Sequence, residues 1–192
     1  AGKPCTCSNA PSSPGIRISE WHSSACAIWA AAAHRTSSVV VAEAILLMRR
    51  IPEKSMACHR GAWVKSAAGS VEVRDKVLGI IGYGHIGTQV GVLAESLGMQ
   101  VLFHDIETKL ALGNARAALD LHDLLARSDV VTLHVPETPS TQRMIGSAQL
   151  AAMKPGAHLV NASRGTVVDI DAPADALRTG HTGGAAVDVF PV

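Results

Sequence analysis

The segment Gly82-Tyr83-Gly84-His85-Ile86-Gly87 limits the possible folds of this chain more than any other feature. It spaces glycines as Gly-x-Gly-x-x-Gly between an apolar run, residues 76–81, and a helical run, residues 86–97, that ends at Gly98. Such spacing alone is common in loops; a strand before it and a helix after it make it specific. Gly82 permits a tight turn off the strand. Gly84 leaves the backbone bare, so a diphosphate can approach it. Gly87 lets the helix pack closely on the sheet. The N-terminus of that helix offers unpaired N–H groups and partial positive charge to the anion.

A second strand is predicted over residues 101–104, and Asp105 ends it, 23 positions past Gly82. That is close to the offset of about 20 at which an acid meets the adenosine ribose of a dinucleotide. A carboxylate accepts hydrogen bonds from the ribose hydroxyls and repels the extra phosphate of NADP. Ile106 and Glu107 follow, with no Arg to welcome that phosphate. The expected cofactor is therefore NAD.

Strand and helix patterns go on alternating. A helix is predicted over 120–127 with Asp120 as its cap, a strand over 129–133, another over 157–161, a helix over 171–179 and a strand over 184–188. Apolar strands joined by helices form a parallel sheet covered on both faces. The fold class is α/β: a Rossmann-type doubly wound parallel sheet, three-layer αβα, over residues 76–192.

Ligands bind such sheets at the carboxyl ends of the strands. Two further loops leave those ends: His134-Val135-Pro136, and Asn161-Ala162-Ser163-Arg164-Gly165-Thr166. Ser163 and Thr166 also suit helix capping. Arg164, beside a glycine at a ligand-facing end, suits a bidentate grip on a carboxylate. The competing reading is a surface Arg paired with a nearby acid such as Asp169.

The rest of the chain carries less information. Residues 1–38, rich in Ser and Pro, read as an irregular lead-in. Residues 39–75 read as an apolar helix, capped by Ser38 and ending in Arg49-Arg50, followed by an arm that holds Trp63. This segment is either an interface or packing on its own domain. With a net charge of +1 and 3% aromatic residues, neither a nucleic acid nor an anionic membrane surface is an expected partner. No apolar run reaches the length of a membrane span, so the expected compartment is the cytoplasm. The four cysteines, Cys5, Cys7, Cys26 and Cys58, lack zinc-site spacing and read as free thiols; no metal is expected.

Several segments together resemble the D-isomer-specific 2-hydroxyacid dehydrogenases: residues 78–87, 128–136, 153–156, 161–168 and 185–190. Residues 79–112, with 50–53 and 58–61, look most like the family's phosphoglycerate-oxidising branch in serine biosynthesis. The resemblance covers about residues 42–192. It implies that His85 and Ile86 contact the pyrophosphate and that Asp105 holds the ribose. His134, Val135 and Pro136 would belong to the nucleotide site. Ala162, Ser163 and Arg164 would line the nicotinamide side, with Asp188 by the nicotinamide amide. Arg164 would be the catalytic Arg that anchors the carboxylate of a small 2-hydroxy acid. A homo-oligomer would form through residues 42–66.

The family also uses a Glu shortly after the Asp-Val-Phe-Pro segment and a His in a later Pro-His loop, both beyond Val192. The 192 residues alone are accordingly expected to bind NAD without turnover. The alternative is a non-catalytic NAD-binding dimerisation module or an inactive gene fragment.

Overall fold

The computed structural model describes residues 36–191. The lead-in predicted over residues 1–38 therefore lies almost wholly outside the described residues, as do Cys5, Cys7 and Cys26. The described residues open with α1, Thr36–Met48, and α2, Ile51–His59. Then come β1 (Val77–Ile81), α3 (His85–Ser96), β2 (Gln100–His104), β3 (Arg116–Ala117), α4 (Leu121–Arg127), β4 (Val130–Leu133), α5 (Ser147–Ala152), β5 (His158–Asn161), α6 (Asp171–Arg178) and β6 (Gly184–Val187). All pairings are parallel, and the sheet order is β3-β2-β1-β4-β5-β6. The chain thus winds outward from β1 in one direction and then from β4 in the other. The crevice between β1 and β4 is the topological switch point.

Side chains of a strand alternate between faces, so each continuous apolar strand supplies two cores at once. Leu78 and Ile80 of β1, Val101 and Phe103 of β2, Val130 of β4 and Val160 of β5 meet α1 and α3 through Val40, Ala44, Met48, Val90 and Ala94. Ile81, Leu102, Val131, Leu133 and Leu159 point the other way, onto Leu124 and Leu125 of α4, Leu150 of α5 and Ala172 of α6. Three layers result. Burial of each such Leu or Ile stabilises the fold by about 1.5–3 kcal/mol.

α1 already includes Thr36 and Ser37, so Ser38 lies inside the helix rather than capping it. Ser37, Val40, Ala44 and Met48, spaced three or four apart, form its buried stripe on the sheet. The helix therefore covers its own domain. α2 differs: it buries no residue, and Ile51, Met56, Trp63 and Val64 around it are exposed.

At the amino end of the sheet Asp129 joins three segments. Its carboxylate accepts the Val77 N–H at 2.8 Å and the Lys154 ammonium at 2.9 Å. At the other end the register is even. Ile81 pairs with His104 and with Leu133, Leu133 with Asn161, and Asn161 with Val187. The strands stop on one line, and that line positions the site.

Candidate functional site: the carboxyl edge of the sheet

Because the last residues of β2, β1, β4, β5 and β6 are in register, the residues that follow emerge as a row. In spatial order they are Asp105, Gly82, His134, Ala162 and Asp188. With about 4.8 Å between strands, the row extends about 19 Å, enough for a dinucleotide laid across the strand ends. Every loop predicted from the sequence to carry cofactor contacts leaves this edge.

The glycine turn sits in its middle. Gly82 has a φ of 91°, which L side chains rarely adopt, and a Cβ there would lie 2.6 Å from the His134 carbonyl oxygen. A Cβ on Gly87 would lie 2.2 Å from the carbonyl oxygen of Gly82, so α3 rests on the turn itself. Gly84 is different: a Cβ there would meet nothing within 4 Å. Its bareness serves no packing purpose and leaves room for a ligand. Gly84 is also the N-cap of α3 and gives no side-chain cap. In α4, by contrast, the Asp120 side chain accepts the Asp123 N–H at 2.7 Å, the cap expected from the sequence. The first N–H groups of α3 are left for an anion.

Asp105 is fixed from two sides. One carboxylate oxygen accepts the Tyr83 N–H at 2.8 Å, and the other accepts the Glu107 N–H at 3.0 Å. Each oxygen keeps a lone pair for a sugar hydroxyl. Tyr83 stacks on Phe103 with ring centroids 4.0 Å apart, which anchors the turn on β2. Beside them opens a cleft of about 730 Å3, lined by Tyr83, Gly84, His85, Thr88, Lys109 and Leu110 among others. Ile86, the second pyrophosphate candidate, is exposed in the first turn of α3.

His134 follows β4, with its Nε2 3.1 Å from Thr132 Oγ1. Burial pushes its pKa down to about 4, so the ring is neutral at pH 7. Val135 packs toward Gly82, and the exposed Pro136 carries its carbonyl to the Thr141 hydroxyl at 2.7 Å.

Past β5, Asn161 shapes the next loop. Its Oδ1 accepts the N–H and the hydroxyl of Ser163, and its Nδ2 donates to the Arg164 carbonyl at 3.0 Å. Gly165 lies so close to the Phe190–Pro191 backbone that a Cβ would sit 2.1 Å from it. The loop is thereby pinned to the segment after β6. Arg164 is exposed, and its guanidinium donates to the Ser163 carbonyl at 2.7 Å. The partner that the competing reading offered, Asp169, is paired with Arg143 at 2.8 Å. Among the described residues no carboxylate pairs with Arg164.

Asp188 donates its N–H to the Asn161 carbonyl at 2.9 Å. Its residue lines a small cavity with Ala162 and with Glu43 of α1. Burial, and then the charge of Asp188, raise the Glu43 pKa above the usual carboxylate value. Sequence reasoning does not single out Glu43 or Lys109. Glu43 lies on α1, and only the folded chain brings it to the row; Lys109 lies four residues past Asp105, in the loop that leaves β2. Among the described residues no group of three or more His, Cys, Asp or Glu side chains could hold a metal ion, and no helix is long and apolar enough to cross a membrane. Cys58 is an exposed free thiol.

Comparison with known proteins matches this geometry. The family profile described as "D-isomer specific 2-hydroxyacid dehydrogenase, NAD binding domain" matches residues 41–192. D-3-phosphoglycerate dehydrogenase of Escherichia coli K12 is 61% identical over 155 residues, which are 81% of this chain and 38% of that protein. D-3-phosphoglycerate dehydrogenase 1 of Saccharomyces cerevisiae is 53% identical, over 81% of this chain and 33% of its own length. The chain thus spans little more than a third of the curated relatives it matches. Among solved structures, D-lactate dehydrogenase from Aquifex aeolicus, complexed with NAD and lactic acid, superposes with a TM-score of 0.74 at 32% identity, covering 80% of this chain and 47% of that one. The chain belongs to the D-isomer-specific 2-hydroxyacid dehydrogenase family, and the row of strand ends lies in that family's NAD-binding domain.

Proposed function

We propose that this domain serves an NAD-dependent dehydrogenase that oxidises the CH–OH group of 3-phosphoglycerate, a step of serine biosynthesis. The observation that carries the reading is the row itself: a bare turn and an acid at one end, and at the other an Arg that pairs with no carboxylate among the described residues. The 61% identity to a protein named for phosphoglycerate supports the choice of substrate.

Each residue has a task along the row. The Asp105 carboxylate accepts the adenosine ribose hydroxyls. The N-terminus of α3, with His85 and Ile86, faces the diphosphate. His134, Val135 and Pro136 wall the middle, and neutral His134 adds no charge there. Ala162, Ser163 and Asp188 flank the nicotinamide. Arg164 grips the substrate carboxylate with two parallel N–H donors and so fixes which face of the reacting carbon meets the cofactor. Bound NAD supplies the hydride acceptor.

The exposed apolar residues around α2 form a second surface. Ile51, Met56, Trp63 and Val64 support pairing with a second copy of this chain through residues 42–66. A small diffusible substrate and a shared NAD pool fit a cytoplasmic protein.

The test is NADH formation from 3-phosphoglycerate by the whole protein that carries these residues, with D-lactate and glycolate as rivals. Phosphoglycerate should give the highest kcat/KM, and Arg164→Ala should lower it by about 100-fold, as loss of a charge-assisted bidentate contact does. Preference for an unphosphorylated acid, or indifference to Arg164→Ala, would contradict the assignment.

A further inference from the structure

The loop that opens with Asp105 carries a cation, Lys109, to the adenosine end of the row. Lys109 lines the open cleft together with Gly84 and His85. Its ammonium is hydrogen-bonded to the Glu107 carboxylate. Glu107 is in turn held by Asp105, which accepts its N–H at 3.0 Å on one oxygen while the other oxygen takes the N–H of Tyr83. Asp105, Glu107 and Lys109 therefore form one connected cluster at the cleft mouth. The Lys109 side chain is 30% exposed, and its carboxylate partner 70%. The hydrogen bond to Glu107, with the charges of Glu107 and Asp105, raises the Lys109 pKa, so the group remains a cation.

We propose that Glu107 sharpens the cofactor specificity set by Asp105 by holding Lys109 in an ion pair within the chain, which denies that ammonium to a phosphate on the adenosine ribose. The proposal rests on the NAD reading of this cleft and extends it by one layer. An acid at the strand tip repels a ribose phosphate, yet Lys109, whose charge interacts with that of Asp105, carries on a flexible four-carbon stem a cation to offset that repulsion. Glu107 removes the offset. Two carboxylates against one ammonium leave the corner one charge negative. Replacing Glu107 by Gln brings the cluster to neutrality and frees the ammonium to turn toward the cleft.

The experiment is calorimetric titration of the full chain with NAD+ and, separately, NADP+. It compares the unaltered protein, Glu107→Gln, and Glu107→Gln with Lys109→Met. Glu107→Gln should raise the ratio of NADP+ to NAD+ affinity by about fivefold, the scale of one solvent-facing charge interaction. The gain should shrink as salt is raised and vanish in the double variant. An unchanged ratio in Glu107→Gln would overturn the proposal, and so would a gain that survives loss of Lys109. Absence of NAD+ binding by the unaltered, folded chain would overturn the underlying reading as well. Circular dichroism of each variant separates these results from misfolding.

Discussion

The backbone N–H of Tyr83 donates to the Asp105 carboxylate at 2.8 Å, tying the glycine turn to the tip of the neighbouring strand across 22 positions of sequence. The acid assigned to the ribose is therefore also a strut of the diphosphate turn. Asp105→Ala removes both roles together. Hydrogen bonds to a charged group contribute about 1.5–3 kcal/mol, so NAD+ affinity should fall by about 10- to 100-fold, measured by calorimetry. A change below about twofold would separate Asp105 from the cofactor.

Gly84 and Gly87 make a contrasting pair. Gly84→Ala adds a methyl group into open space, whereas Gly87→Ala drives one to within 2.2 Å of the Gly82 carbonyl oxygen. Urea unfolding should show Gly87→Ala destabilised by about 1–3 kcal/mol, the range for overpacking, with Gly84→Ala close to the unaltered protein. NAD+ binding should weaken in both. Equal stability losses would mean that the two glycines do not divide packing from binding in this way.

That division is partly legible in the order of residues alone. The glycine spacing, its strand and helix, Asp105 and the strand-end loops all follow from local rules, because each is set by residues adjacent in sequence. The strands keep their predicted places to within a residue, since a short apolar run bounded by polar residues has few alternatives. Other features are not legible in this way. β3, Arg116–Ala117, and α5, Ser147–Ala152, are too short to show a period. Ser38 resembles an N-cap, but the buried stripe from Ser37 to Met48 carries the helix past it. Whether α1 packs on its own sheet depends on a contact with Val90 and Ala94 that no local pattern encodes. Glu43 reaches the row only through the fold, and Asp169 is the partner of Arg143 rather than of Arg164.

His134 gives the domain a pH dependence. Its folded pKa of about 4 lies below the ordinary value of 6.5 because the buried ring resists charge. The unfolded chain thus binds the proton more readily. This group's contribution is fully present above pH 6.5 and is lost as pH falls from there toward 4. The loss is about 3 kcal/mol at most and is reduced by the ring's partial exposure. Urea midpoints measured between about pH 7 and pH 4.5 should fall less steeply in His134→Gln. Parallel pH profiles would contradict the assignment.

The arm can be tested separately. Trp63 is 76% exposed and Met56 58% exposed, beside a helix that buries nothing. Sedimentation of the chain at micromolar concentration should show a dimer, and Trp63→Ser with Met56→Ser should shift it toward monomer without loss of helical signal. An unaltered chain that sediments as a monomer would remove the interface role from residues 42–66.

Whether the strand-end row holds a dinucleotide is decided by calorimetry of NAD+ against the folded chain, with Gly84→Val as its control. One NAD+ should bind per chain, and binding should be abolished in Gly84→Val with circular dichroism unchanged. A folded chain that takes up no NAD+, or a Gly84→Val variant that binds it undiminished, would show that the bare turn does not receive the diphosphate.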